Sequence, residues 1–294
     1  MRAFVTGAKG FVGQWLLAHL VDQGDEVVAV DHEVDVTDGD AMSSAMLAAS
    51  PDVVYHLAAF THVGESWKDP DRVMLVNALG TLHVLEAARA LATPPVVLLT
   101  SSAEVYGAVA EDVLPVAETA PLAPVTPYAA SKVAAEYLGV QEHLAYGLPV
   151  IRVRPFNHVG PGQALGFVVP SLAARIGEGR RDGVGTLAVG NLSARRDFTD
   201  VRDVVRAYRL LVEAGTPGEV YNVCSGRDVV IEEIAERLLR LAGADLRLVP
   251  DPELMRPVDV PVVRGDPSKL RAATGWVPEL ELDRTLRDVL GQLR

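Results

Sequence analysis

Six short runs of β-branched and aliphatic residues alternate with longer segments of helical period, and this alternation constrains the chain more than any other feature. The runs are Ala3–Thr6, Glu26–Val30, Val53–Leu57, Val96–Thr100, Val150–Arg154 and Val220–Val223. Parallel strands need a crossover to bring the chain back in the same direction, so the pattern predicts a parallel sheet with helices on its faces. Helices are expected over Phe11–Asp22, Arg72–Ala90 and Tyr128–Tyr146. In the last of these Ala130, Val133, Ala134, Tyr137 and Leu138 share one face, and Ala129, Lys132 and Glu136 share another. From about Pro155 onward Gly and Pro interrupt shorter elements, as in Gly160–Gly166 and Val249–Pro261, which predicts loops lining a cleft. The expected class is α/β: a Rossmann-type, doubly wound parallel sheet with a smaller α/β substrate-binding lobe formed mainly from the C-terminal half. The expected division is 1–157, with 192–223 returning to it, for the dinucleotide-binding part, and 158–191 with 224–294 for the second lobe.

Composition narrows the function classes. A chain of 294 residues can bury a core without disulfide or metal staples. Lys plus Arg number 27 against 39 Asp plus Glu, a net charge of −12, which argues against nucleic acid and anionic membranes as partners. A small anionic ligand stays compatible if basic groups gather locally. No apolar run approaches membrane-spanning length. The single Cys224 excludes an internal disulfide, and the opening MRAFVTGAKG runs straight into a strand and turn, so a cytoplasmic protein without a signal peptide is expected. The seven histidines show no metal-ligand spacing, and no catalytic metal is expected. Cys224 reads as a packed residue, and His158 equally as a substrate contact or a satisfied loop histidine.

The first strand ends in Thr6-Gly7-Ala8-Lys9-Gly10-Phe11-Val12-Gly13. Glycines at this spacing let the backbone of a strand-to-helix turn approach a pyrophosphate, with the amides at Phe11, Val12 and Gly13 opening the helix; an ordinary turn is the plain alternative. Asp31 ends the second strand, where a carboxylate accepts hydrogen bonds from an adenine ribose and repels a 2′-phosphate, favouring NAD(H); a surface turn aspartate is the alternative. Asp35-Val36-Thr37 either sets a carboxylate and an amide beside the adenine or is a polar turn before a helix.

Tyr128 and Lys132 stand four apart on one predicted helix, on one face. A phenol with an ordinary pKa near 10 becomes a proton relay when an ammonium lies close. Thr100-Ser101-Ser102-Ala103-Glu104 follows an apolar strand, where hydroxyls meet the cleft of such sheets and can polarise a carbonyl. Arginines in the short loops of the second half, Arg196 and Arg256 among them, suit a diphosphate, with ion pairing of Arg196 to Asp200 or Asp203 as the alternative.

Taken together, Gly7, Gly10 and Gly13, Asn77 in Val76-Asn77-Ala78, the Ser102 segment, and Tyr128 with Lys132 resemble the extended short-chain dehydrogenase/reductases that act on nucleotide sugars. The resemblance implies that Ser102 binds the sugar carbonyl, with Ser101 as the neighbouring alternative. It also implies that Tyr128 donates the proton and that Lys132 binds the nicotinamide ribose while lowering the tyrosine pKa. Leu57, Ala58, Ala59 and Asn77 join the cofactor site on the same basis. Within the family, Gly190-Asn191-Leu192, Arg196-Asp197 and Arg154–Gln163 are most similar to the GDP-4-dehydro-6-deoxy-D-mannose reductases. This implies a GDP-linked 4-keto-6-deoxyhexose held by Asn157, Val168, Asn191, Arg196 and Arg256, and a homodimer built on the Arg72–Ala90 and Tyr128–Tyr146 helices. Such reductases commonly use NADPH, so NADP(H) stands beside the NAD(H) that Asp31 favours. Glu104, two residues after Ser102, matches a catalytic glutamate of the GDP-mannose 4,6-dehydratases and keeps that activity open. A nucleotide-sugar 4-epimerase and a non-enzymatic nucleotide-sensing scaffold are further alternatives.

Overall fold

The computed structural model describes residues 1–254 and 260–292. The first half contains β1 (Arg2–Thr6), α1 (Phe11–Asp22), β2 (Glu26–Val30), α2 (Gly39–Ala49), β3 (Val53–His56), α3 (Val63–Ser66), α4 (Pro70–Met74), α5 (Gly80–Arg89) and β4 (Val96–Thr100). Then come α6 (Pro127–Tyr146), β5 (Val150–Pro155), β6 (Asn157–Val159), α7 (Val168–Asp182), β7 (Thr186–Val189), β8 (Arg195–Asp200) and α8 (Val201–Ala214). The chain continues through β9 (Val220–Val223), β10 (Asp228–Val230), α9 (Ile231–Ala242), β11 (Arg247–Pro250), β12 (Val262–Val263), α10 (Ser268–Thr274) and α11 (Leu282–Gln292).

The main sheet is wholly parallel, in the order β2-β1-β3-β4-β5-β9. The chain leaves β1 toward β2 and then crosses back to β3 on the other side, so the switch point, and the crevice it opens, lies between the carboxyl ends of β1 and β3. Alternation along the strands feeds two cores. Val5, Tyr55 and Leu98 pack against Leu16 and Leu20 of α1 and Tyr208 and Leu211 of α8. Phe4, Val54 and Val97 pack against Met42 and Met46 of α2 and Val84 and Leu85 of α5. A third core joins α7, α9, α11 and β7 through Ile176, Leu187, Ile234, Leu238 and Leu286.

β6 follows directly on β5 yet pairs with β8 rather than with the main sheet, in the register Asn157↔Phe198. This change of partner carries the chain across the carboxyl edge of the sheet and into the second core. Asp197 fixes the crossing point, accepting hydrogen bonds from the Ser225 amide (2.9 Å) and hydroxyl (2.6 Å) and from the Gly226 and Gly265 amides. The single helix expected over Arg72–Ala90 is divided: α4 ends at Met74, a π-helical turn spans Leu75–Leu79, and α5 follows. A π turn accommodates one extra residue and marks a position under local demand. Here that position carries Asn77, which is fully buried. Among the described residues no helix is long and apolar enough to cross a membrane.

Candidate active site

A cleft of about 1090 Å³ opens at the switch point and extends over the β6–β8 crossing into the second lobe. At its first end Gly7 adopts φ +68°, and a Cβ there would stand 2.7 Å from the Ala58 amide nitrogen. A Cβ on Gly13 would lie 2.3 Å from the Gly7 carbonyl oxygen. Only glycine lets the β1–α1 turn press so closely on the exit of β3 and on its own helix. No side chain caps α1 at Gly10, so the first amides of the helix face the cleft without a side-chain partner. Phe11, Val12, Leu57, Ala58 and Ala59 line this end, as do Asp31, Asp35 and Val36. Asp31 accepts hydrogen bonds from the Lys9 amide (2.7 Å) and the His32 amide (3.0 Å), one at each oxygen, so it braces the glycine turn while retaining lone pairs for a ligand hydroxyl. Asp35 accepts from the Thr37 amide and hydroxyl, which hold its carboxyl below the usual range. The glycine cradle and the uncapped helix fit the pyrophosphate of a nicotinamide dinucleotide.

The catalytic candidates meet in the middle of the cleft. Thr126 caps α6 by accepting from the Ala129 amide, and Pro127 opens the first turn, which places Tyr128 at the mouth of the helix and Lys132 one turn deeper. Ser102 and Glu104 line the cleft beside Tyr128. Ser102 and Tyr128 are within hydrogen-bonding reach of each other, and the Ser102 hydroxyl also accepts from the Glu104 amide. Ser101 does not line the cleft; its amide donates to Val153 O. Burial and the Glu104 charge push the Tyr128 phenol up to about 12, against the lowering expected from Lys132. Burial brings Lys132 down to about 8, and its ammonium donates to Thr100 O at 3.0 Å. In the protein alone, then, desolvation outweighs any tuning of the phenol by the ammonium.

Asn77 and Lys132 are both buried next to the cleft-lining Tyr128 segment. The Asn77 amide group accepts from Phe60 N (2.7 Å) and donates to Phe60 O and to the Ser131 hydroxyl (2.8 Å), which donates in turn to Tyr128 O. Asn77 thus ties the segment after β3 to the catalytic helix.

At the far end Asn157, Val168, Asn191 and Arg196 line the cleft, while Arg256 lies outside the described residues. Asn191 accepts from the Ser193 amide and hydroxyl, shaping the turn before β8. Arg196 donates to Val260 O at 2.7 Å. The acids considered as its partners are engaged elsewhere, Asp200 with Arg202 and Asp203 with Arg206, each at 2.8 Å. His158 lines the cleft and stacks on Phe11 at 6.0 Å, and its Nδ1–H donates to Phe156 O. Sequence reasoning missed Arg175, on the cleft-facing side of α7, and His62, which meets Phe167 across the opening. The helical period of Val168–Asp182 held the signal for Arg175. Among the described residues no group of three or more His, Cys, Asp or Glu is placed to hold a metal ion.

The fold and this site define a member of the extended short-chain dehydrogenase/reductases. The chain belongs to that family: the family model for GDP-mannose 4,6 dehydratase matches residues 30–289. It is 42% identical over 294 residues to the GDP-6-deoxy-D-mannose reductase of Pseudomonas aeruginosa, covering 98% of this chain and 96% of that one. It is 33% identical to the UDP-glucose 4-epimerase of Mycolicibacterium smegmatis, over 96% of this chain and 95% of the relative. Among solved structures, RMD from Pseudomonas aeruginosa complexed with NADPH superposes with a TM-score of 0.93 at 39% identity, over 100% of this chain and 99% of that one. The UDP-glucose 4-epimerase of Thermus thermophilus in complex with NAD follows at 0.88 and 30% identity, over 100% and 99%.

Proposed function

We propose that this protein reduces the C4 carbonyl of a GDP-linked 4-keto-6-deoxyhexose with a reduced nicotinamide dinucleotide. The observation that carries the reading is one continuous cleft, with the glycine cradle at one end, Arg196 and Asn157 at the other, and Ser102 and Tyr128 in the wall between. The nicotinamide, when bound, supplies the hydride. Ser102 donates to the sugar carbonyl and orients it. A phenol held up to about 12 is fully protonated at neutral pH, so Tyr128 stores the proton that the developing alkoxide needs. Lys132, anchored on Thr100 O, holds the ribose and returns a proton to Tyr128 after turnover. Arg196, with Arg256, clamps the diphosphate, and Asn157, Val168 and Asn191 position the nucleotide sugar.

The finer features are part of the same proposal. Asp31 favours NADH over NADPH, and it does so from a place where it also braces the turn. Residues 1–157 with 192–223 serve the dinucleotide, and 158–191 with 224–294 the nucleotide sugar, with α10 packing back on the first part through Leu270. The protein acts in the cytoplasm as a homodimer, for which Met74, Leu75 and Leu79 beside Tyr137, Leu144 and Tyr146 offer exposed apolar helix faces. Glu104 in the cleft beside Tyr128 favours one second reading, dehydration of GDP-mannose.

One assay separates the readings. The keto sugar is offered with NADH or NADPH, and GDP-mannose separately with the oxidised cofactors, while cofactor absorbance and the sugar product are followed. Consumption of reduced cofactor with the keto sugar alone is the expected result, with kcat/KM higher for NADH and that preference relaxed in Asp31→Ala. Keto-sugar formation from GDP-mannose without net cofactor change overturns the reductase, and a strong NADPH preference overturns the role of Asp31.

A further inference from the structure

His56 ends β3 directly beside Thr6, its partner in the parallel register, and is fully buried with both ring nitrogens engaged. The direction of every hydrogen bond around it follows from the neighbours. The Thr81 hydroxyl donates to Asn77 O at 2.6 Å, because a carbonyl only accepts. Having spent its hydrogen, that hydroxyl accepts from His56 Nε2 at 2.9 Å, so Nε2 carries the proton. Nδ1 of the neutral ring is then bare and accepts from the Thr6 hydroxyl at 2.8 Å, and the Thr6 oxygen accepts from the Ala58 amide at 3.2 Å. Each hydrogen in the chain from Ala58 to Asn77 is used once, and only one tautomer satisfies it.

Both ends of this chain are functional ground. Thr6 leads directly into Gly7, and Ala58 is the backbone that a Cβ on Gly7 would meet, at 2.7 Å. Asn77 holds Phe60 and, through Ser131, the first turn of α6 at Tyr128. A second branch leaves the His56 carbonyl, which accepts from the Thr100 hydroxyl at 2.6 Å, while the Thr100 carbonyl accepts from Lys132. The cofactor turn, the tyrosine and the lysine therefore meet at one residue.

We propose that His56 is a positioning residue: a permanently neutral, Nε2-protonated imidazole that fixes the dinucleotide cradle relative to the helix bearing Tyr128 and Lys132. Burial and the nearby Lys132 ammonium hold the ring down to about 3, so it stays neutral wherever the protein works. The role rests on the reading of Tyr128 and Lys132 as the acid pair, and its test includes measurements that need no turnover.

The ¹⁵N spectrum of the His56 ring should show a bare Nδ1 and a protonated Nε2, unchanged from about pH 5 to 9. His56→Leu, close in volume, should weaken NADH or NADPH binding and lower kcat about ten- to hundredfold, because misplaced reacting groups lose rate steeply. GDP binding in the second lobe should stay within about twofold of wild type. His56→Gln, which keeps a donor toward Thr81, should recover part of the loss. If His56→Leu does not fold, Thr81→Val cuts the same chain at its outer link and should show the same split. A protonated Nδ1, an unaltered cofactor affinity and kcat in a folded His56→Leu or Thr81→Val variant, or an equal loss of GDP affinity would overturn the proposal. Failure of the wild-type protein to reduce any keto sugar would count against the catalytic reading alone, since the ring tautomer and the cofactor affinity remain measurable.

Discussion

Tyr128 and Lys132 are displaced by burial in opposite directions, and each displacement has a testable sign. Desolvation disfavours the charged form of either group, raising the phenol to about 12 and lowering the ammonium to about 8. In its proposed role as proton donor Tyr128 gains from this, since it stays loaded at every physiological pH. Tyr128→Phe keeps the ring and its packing, so it should retain fold and cofactor affinity while kcat for the keto sugar falls about 10²- to 10⁴-fold; an undiminished rate would remove Tyr128 from the chemistry. Lys132 makes the complementary case in stability. Between pH 8 and its ordinary 10.5 the folded protein has released a proton that the unfolded chain still holds. Unfolding free energy therefore rises with pH through this window, by an amount on the order of a few kcal/mol from this group. Urea unfolding of the wild type compared with Lys132→Met should show the rise in the first and its loss in the second. A parallel pH dependence in both would assign the effect to other groups.

At the scale of elements, legibility depended on whether a signal was local. The strands over 26–30, 96–100 and 220–223 and the helix over 11–22 have the bounds their sequences suggested, because a buried parallel strand must be a short aliphatic run and its turn must hold glycine or a cap. β6, β8 and β10 are polar in part, β12 is only two residues long, and all four are paired across long separations, Asn157 with Phe198 and Arg195 with Val230, so no local periodicity marks them. The π turn at Leu75–Leu79 was equally invisible, since the demand for it comes from Phe60 and Ser131, far away in sequence. The candidate site divides in the same way. Gly7, Asp31, Ser102 and Arg196, which the chemistry of a ligand suggests in the sequence, line the cleft, whereas Arg175 and His56 acquire meaning only from neighbours the fold supplies. Two glycines in helices give this contrast an energetic form. In Gly13→Ala the new Cβ meets backbone oxygens at 2.3 and 2.6 Å and the turn must move, so thermal unfolding should show a loss of about 1–3 kcal/mol with weakened dinucleotide binding. Gly177 in α7 has nothing within 4 Å of the same position. Gly177→Ala should stabilise the protein by about 0.5–1 kcal/mol and leave the dinucleotide affinity alone.

Across the whole molecule, an acidic chain with a net charge of −12 is assigned two anionic ligands, and the division between its lobes decides how each is held. In the proposed function the dinucleotide is held by backbone amides at the head of α1, which carry no formal charge and escape the repulsion of the surrounding carboxylates. The far end, proposed for the nucleotide sugar, has Arg175 and Arg196 lining a cleft wall made by α7 and the β7–β8 turn. The lobes are joined where Phe11 stacks on His158 and where Trp15 Nε1–H donates to Pro161 O at 2.9 Å, so the loop from Gly160 onward is tied to α1 as well as to α11, whose Gln292 accepts from the Gly162 amide. Hydrogen exchange can read this division directly. NADH or NADPH should protect amides at 7–13 and 57–60 and, through the Trp15 tether, those of 160–163. GDP alone should protect 168–176 and 189–196 with little change at the glycine turn, and UDP should protect the same segments less at equal concentration. Equal protection by GDP and UDP would remove the guanosine preference, and protection of 7–13 by GDP would show that the two ligands do not occupy separate ends of the cleft.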